Sequence, residues 1–210
     1  MKKKILSFFN SIFHEKCMGC DSESRPEFYG FCEDCWRRII FIENCGKNNN
    51  WSFAKYEGPI KKAICDFKYL GKKSYGKNFG KLLCEFIKRN DFPDFDLIIP
   101  IPLHWKKEFS RGFNQSAIIS VYLGKFLKKP VMLGNLVKIK NTVSQTQLSE
   151  SERKENVKGS FKVKKQSLIK GKNILLVDDV KTTGATTEEA KRVLKKNGAK
   201  KVIILTVASS

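Results

Sequence analysis

No apolar run in this chain reaches the roughly 18 residues that a membrane-crossing helix needs, so no segment spans a bilayer as a helix. Internal repeats are absent, which excludes a solenoid. No low-complexity linker divides the chain either. Acidic residues are scarce: 21 Asp and Glu stand against 41 Lys and Arg, for a net charge of +20. Such a field favours nucleic acid, anionic lipid or phosphorylated small molecules as partners. Arginine is scarce too, 7 residues against 34 lysines. An AT-rich coding genome produces that bias without selection for binding, so a polyanion surface and a compositional origin both stand. The charge is also lopsided. Residues 1–50 hold 8 basic and 7 acidic groups, whereas residues 51–210 hold 33 and 14, a net of +19. Against these shortages, apolar residues make up 41% of the 210, with 16 Phe, enough to core one ordinary domain plus a small one.

The first sixteen residues are basic and then apolar, as an export signal would be. Ser7, Asn10 and Ser11 interrupt the apolar stretch and no small-residue cleavage site follows, so an export signal is not expected. Ile5, Phe8, Phe9, Ile12 and Phe13 instead fall at helical spacing. Such a helix packs on its own domain or lies on an anionic membrane surface.

Cysteines follow in two knuckles, Cys17-Met-Gly-Cys20 and Cys32-Glu-Asp-Cys35. Two such pairs can present four thiolates tetrahedrally, the preference of structural zinc. Gly19 allows the backbone to turn beneath the sulfurs. The turn-rich segment between the knuckles has little apolar content of its own, and zinc would supply about 10 kcal/mol of ordering free energy. Disulfides would require an oxidising compartment, and an iron centre would use the same ligands. Cys45, Cys65 and Cys84 lack a second cysteine at knuckle spacing and read as small apolar residues.

The densest signal is ILLVDDVKTTGAT, from Ile174 to Thr186. Ile174 to Val177 has the composition of a strand buried on both faces of a parallel sheet. Asp178 and Asp179 come next, where ligands bind in open α/β sheets. Paired carboxylates accept hydrogen bonds from two vicinal hydroxyls of a sugar. Thr182, Thr183, Gly184, Ala185 and Thr186 then offer N–H groups and hydroxyls at a helix N-terminus, a place for a phosphate.

Elsewhere, strands are expected at Trp51–Tyr56, Asp96–Ile99, Val131–Leu133 and Lys201–Val207. Helices are expected at Ile60–Tyr69, Phe79–Phe86, from Gln115 to about Leu127, and after the Thr-Thr-Gly loop as far as Asn197-Gly198. Gly58-Pro59 reads as a turn, and Ser110 to Gln115 as a loop entering a helix. Residues 138–161 read as a polar mobile loop or hairpin. Strands alternating with helices predict an α/β fold with a parallel sheet flanked by helices.

The Ile174–Thr186 stretch resembles the phosphoribosyl pyrophosphate (PRPP) motif of type I phosphoribosyltransferases. Lys181 departs from it, since the family usually has a small or apolar residue there. A receiver-domain acidic pocket, the other reading of an LLVDD stretch, would close the first strand. Three further blocks, Tyr56–Gly71, Ile98–Gln115 and Thr142–Phe161, together with the knuckles resemble the ComF (ComFC/GntX) family of competence-associated phosphoribosyltransferase-like proteins. Many members carry a third Cys-x2-Cys where this chain has Cys45-Gly-Lys-Asn48. A single site of Cys17, Cys20, Cys32 and Cys35 is therefore expected, with Zn2+ as its structural ion.

The resemblance implies a zinc ribbon within residues 1–50 and a type I phosphoribosyltransferase-like domain over 51–210. It implies PRPP with Mg2+ at Asp178, Asp179, Lys181, Thr182, Thr183, Gly184, Ala185 and Thr186. Arg111, Asn114 and Gln115 would contact pyrophosphate or nucleic acid, or else cap a helix and supply surface charge. Lys138, Lys140 and Arg153 would lie in or beside the loop that folds over PRPP, or on a solvated basic face. Lys68 and Tyr69 would line the site or merely end a helix. No catalytic residue is singled out. The implied role is that of a DNA-uptake accessory protein of natural transformation, binding single-stranded DNA in the cytoplasm. Its partners would be the uptake machinery at the inner membrane, with residues 1–16 as a peripheral membrane contact. The alternative is an active phosphoribosyltransferase passing ribose 5-phosphate to a nitrogen acceptor, although no base-specifying hood segment is recognisable.

Overall fold

A computed structural model of the chain describes residues 16–24, 26–43, 46–142 and 150–210, the side chains of 150, 151, 153 and 154 excepted. The expected helix over residues 1–16 lies outside them, Lys16 apart, as do Cys45 and the side chain of Arg153. The strands are β1 Asn50–Lys55, β2 Leu97–Pro100, β3 Leu136–Lys138, β4 Phe161–Val163, β5 Asn173–Lys181 and β6 Lys201–Ser209. The helices are α1 Glu33–Arg37, α2 Gly58–Tyr69, α3 Tyr75–Arg89, α4 Trp105–Arg111, α5 Gln115–Leu127, α6 Glu150–Val157 and α7 Ala185–Lys196. None of these helices is long and apolar enough to cross a membrane.

β1, β6, β5 and β2 form one sheet in that order, with every pair parallel. Side chains alternate across a strand, so each buried strand feeds two cores. On one face, Leu175, Val177, Ile203 and Leu205 pack with Ile64 and Phe67 of α2, Phe79 and Leu83 of α3, and Ile119 and Leu123 of α5. On the other, Ile174, Leu176, Val202 and Ile204 pack with Ala190, Val193 and Leu194 of α7 and with Leu136 and Phe161 of the β3–β4 pair. This is the expected parallel α/β architecture with helices on both faces. Met18 and Phe31, beside the cysteines, belong to the first of these clusters, so the knuckles rest on the main body.

Several boundaries differ from the sequence expectation. Gly58-Pro59 opens α2 instead of forming a separate turn; proline suits the first helical turn, where its missing N–H would have no partner in any case. The four-residue apolar strand extends through both acids to Lys181, because β6 is equally long and pairs Val180 with Ala208 and Lys181 with Ser209. The expected strand Val131–Leu133 reduces to one parallel bridge, Val131 to Ile98. α4 lies where no element was expected and overlaps the expected Ser110–Gln115 loop only at Ser110 and Arg111. The polar stretch after Lys138 is a hairpin in part: β3 and β4 are antiparallel, α6 lies between them, and 143–149 lie outside the described residues.

Close packing brings α5 to the site. Gly80 of α3 faces α5, where an added Cβ would lie 2.6 Å from Cβ of Tyr122. The absence of that atom lets the two helices approach, which fixes the N-terminus of α5 against the carboxyl ends of β2 and β5.

Candidate functional site

β5 carries Asp178 and Asp179 to the carboxyl edge of the sheet. Asp178 accepts a hydrogen bond from Oγ of Ser116, 2.7 Å away in the first turn of α5, and another from the N–H of Asp179 at 3.0 Å. Asp179 pairs with Nζ of Lys68, at the end of α2, at 2.8 Å. Only 6% of Asp179 is exposed, so this is a nearly buried ion pair.

The charges tune one another. Burial raises the Asp178 carboxyl to about 7, and the neighbouring Asp179 charge adds to this against the pull of Ser116 and Lys68. Burial works against the Lys68 ammonium, but Asp179 outweighs it and leaves that group above its ordinary value. Lys138 on β3 is drawn down to about 8 by burial and by Lys107, with Asp178 opposing. Lys107 on α4 is itself lowered by burial and by Arg111. Lys68 thus contacts Asp179, and Lys138 is near enough to Asp178 to interact with it, with Lys107 and Arg111 beside these two lysines. Lys107 and Lys138 are each lowered by a neighbouring cation, a repulsion that an anion would relieve.

Next to the acids, residues 182–184 turn into α7. Gly184 has φ of 80°, left-handed backbone suited to glycine, and an added Cβ would lie 2.9 Å from Cε of Lys181. Thr183 Oγ1 accepts from the N–H of Ala185 at 3.5 Å, and Thr187 Oγ1 donates to the Gly184 carbonyl at 3.0 Å. A cleft of about 60 Å³ is bounded by Asp178, Lys181, Thr182, Gly184, Ala185 and Thr186 among others. Oriented N–H groups and the helix dipole favour negative charge at a helix start of this kind.

The remaining expected residues divide. Arg111 donates to Oε1 of Gln115 at 2.7 Å and stacks over Tyr69, 5.5 Å from the ring centroid. Asn114 serves the fold: its Oδ1 accepts from Ala117 N–H to cap α5, and its Nδ2 donates to the Ile101 carbonyl at 3.0 Å. Gln115 is buried with Nε2 lacking a hydrogen-bond partner. Lys140 is exposed and donates to the Lys158 carbonyl at 2.9 Å. Sequence reasoning missed Ser116 and Lys107. Ser116 stands immediately after Gln115 in the expected block, but nothing local marks its bond to a residue 62 positions away.

At the other end of α2, the ligand sulfurs of Cys17, Cys20, Cys32 and Cys35 all lie within 4.8 Å of one another. Cys20 and Cys32 are 3.9 Å apart, close to the roughly 3.8 Å that a tetrahedron of 2.3 Å zinc–sulfur bonds requires. Cys17 Sγ accepts N–H groups of Gly19 and Cys32 at 3.3 and 3.2 Å, and Arg38 donates to Cys35 Sγ at 3.3 Å. These donors suit thiolates. A Cβ on Gly19 would lie 2.8 Å from Cys35 Sγ, in keeping with the close turn expected there. Cys84 is buried, and Cys65 is half-buried against the Tyr56 hydroxyl at 3.5 Å.

Residues 121–210 match the phosphoribosyl transferase domain family. The chain is 28% identical to Competence protein F of Haemophilus influenzae over 212 residues, covering 91% of this chain and 89% of that one. It is 30% identical to Competence protein ComFC of Bacillus subtilis over 192 residues, covering 85% and 72%. Among solved structures it is similar to glutamine PRPP amidotransferase from B. subtilis, with a TM-score of 0.44, 20% identity, and coverage of 64% of this chain and 26% of that one. With 30% identity to ComFC across most of both chains, and a parallel sheet that ends in an acidic pair and a Thr-Thr-Gly loop, this chain belongs to the ComF family of phosphoribosyltransferase-like proteins.

Proposed function

We propose that this chain is a DNA-uptake accessory protein of natural transformation, one that holds single-stranded DNA through a sugar-phosphate pocket. The observation that carries this reading is the acidic pair, with Lys68 on Asp179 and Ser116 on Asp178, directly before the Thr182–Thr186 helix start. Relatives named as competence proteins supply the process.

In this reading the α7 N-terminus with Thr182–Thr186 takes a terminal phosphate, from PRPP or from a DNA strand. Asp178 and Asp179 accept the ribose hydroxyls of PRPP. Ser116 orients Asp178, and Lys68 holds Asp179 until hydroxyls replace it. Mg2+, when bound with PRPP, would neutralise pyrophosphate oxygens that Arg111 and Lys138 also face. Zn2+ fits the four sulfurs and would order residues 17–35. The division near residue 50, the cytoplasmic location, the uptake machinery as partner and a membrane contact through residues 1–16 belong to the same proposal.

Salt-dependent binding of single-stranded DNA tests it. Affinity should fall with a log–log slope of roughly 0.7 per phosphate contact. It should also weaken in Thr183→Val/Gly184→Val, which removes a hydroxyl and the left-handed turn from the place assigned to the phosphate. Binding that survives those changes would separate DNA from the pocket. A second reading, active phosphoribosyl transfer, is favoured by the intact assembly of acid pair, Ser116 and Thr-Thr-Gly loop. A nitrogen nucleophile would attack the anomeric carbon as pyrophosphate leaves, with cationic groups stabilising the leaving charge. Base-dependent release of pyrophosphate from PRPP, without DNA binding, would make this the function instead.

A further inference from the structure

α4 is the element that neither the sugar-phosphate pocket nor the core explains. None of its residues is buried. Its seven residues, WKKEFSR, sort by face at i, i+4 spacing. Lys107 and Arg111 form one pair, and they act electrostatically on Lys138 and Lys68 beside the acids. Trp105 and Phe109 form the other pair, and they face solvent, 67% and 89% exposed. Among the described residues only one further aromatic side chain is more than half exposed. It is Tyr69, at 73%, and it stacks on Arg111. All three strongly exposed rings among the described residues therefore lie on α4 or against it, those of Trp105 and Phe109 on the side of the helix away from Lys107 and Arg111.

A cavity of about 420 Å³ opens behind Trp105, bounded by Pro102, Leu103, Trp105, Asn114, Leu133 and Lys138 among others. That size is ample for a nucleobase, and its walls are mostly apolar with a few polar groups, as small-ligand sites are. Pro100 and Lys138 line it together with Glu108, and Pro100 pairs with Val177 immediately before Asp178, so the cavity adjoins the acids. Lys106 lies 5.5 Å from the Trp105 ring centroid, and α4 carries three cations against Glu108.

The geometry points to a base-binding strip for single-stranded DNA, formed by Trp105, Phe109 and the cavity behind Trp105. Phosphates of the strand run over Lys107, Arg111 and Lys138. One base enters the cavity and the next stacks on an exposed ring. Exposed aromatics beside a cationic track are how sequence-tolerant single-strand binders hold bases, because every base has a stacking face. This inference rests on the DNA reading above and adds where the bases go.

Fluorescence anisotropy with an oligothymidylate, on the full chain, tests it. Trp105→Ala/Phe109→Ala should bind at least about 10-fold more weakly, with the salt slope unchanged, because stacking and not phosphate contact is lost. Lys107→Ala/Arg111→Ala should bind more weakly with a shallower slope. An abasic strand should bind wild type as poorly as the intact strand binds the aromatic variant. Intrinsic fluorescence gives a second readout, since Trp51 is buried and Trp36 packs among Phe28, Tyr29 and Phe53. Quenching on DNA addition should come from Trp105 and vanish in Trp105→Phe. Both rings are exposed, so the variants should unfold at the wild-type midpoint. If wild type binds the oligonucleotide and the aromatic variant binds equally well, the strip is refuted while the DNA reading stands, and the face is left for a protein partner. If wild type binds no single strand at low salt, both are refuted.

Discussion

Asp178 and Lys68 set the character of the pocket through opposite responses to burial. The folded chain keeps a proton on Asp178 up to about pH 7, whereas an ordinary aspartate releases it near 3.8. That proton stabilises the fold fully below pH 3.8, and the contribution is lost as pH rises through 7. Asp178→Asn removes the dependence. The difference in urea-unfolding free energy between variant and wild type should therefore grow from pH 5 to pH 8, reaching on the order of 2–4 kcal/mol in the variant's favour. A difference that stays flat with pH would show that Asp178 titrates normally. Lys68 works in the other direction. Its loss in Lys68→Met leaves the nearly buried Asp179 carboxylate without its ion partner. Roughly 2–3 kcal/mol should be lost at pH 7, less than for a fully buried pair because Lys68 keeps some exposure. Asp179→Asn in the same chain should restore most of it, read in the same unfolding assay.

α2 links the cysteines to the acids. Pro59 in its first turn touches the space beneath Gly19, and Lys68 near its end holds Asp179. Lys62, between them, and Lys72, just past the helix, each bond both Asp21, beside Cys20, and the buried Asp66. A chelator strong enough to strip zinc should therefore lower the melting temperature and also weaken PRPP binding, because α2 loses the surface it rests on. Retained stoichiometric metal in Cys17→Ser/Cys32→Ser would contradict the four-sulfur site. The elements most legible in the sequence were those whose surroundings are uniform. Ile174–Val177 lies wholly between two helical layers, so four successive apolar residues announce it. α4 was illegible because its seven residues bury nothing and offer only two apolar positions, Trp105 and Phe109, too few to announce a helical period. Gly58-Pro59 misled because the same pair suits a turn and a helix start. Within the site, the acids and the Thr-Thr-Gly loop carry their chemistry in adjacent residues and could be read directly. Ser116, Lys107 and the Lys68–Asp179 pair depend on contacts between remote segments, which only the sheet order brings together.

For the whole molecule, the question is whether +20 of charge serves a site or merely coats a surface. Lys68 and Lys138 act on one acidic pair at the carboxyl edge of a parallel sheet, where this class of fold places its ligands. A diffuse coat would give no single saturable site and no dependence on two carboxylates, which carry the same sign as any phosphate ligand. Hydroxyl recognition by Asp178 and Asp179 predicts that dependence. Isothermal titration of PRPP with Mg2+ into wild type and into Asp178→Asn/Asp179→Asn measures it directly. At pH 8, where Asp178 is ionised, wild type should show one saturable site, weakened about 100-fold in the variant by the loss of two charge-assisted hydrogen bonds. Equal affinity in the two proteins, or no binding by wild type, would contradict it.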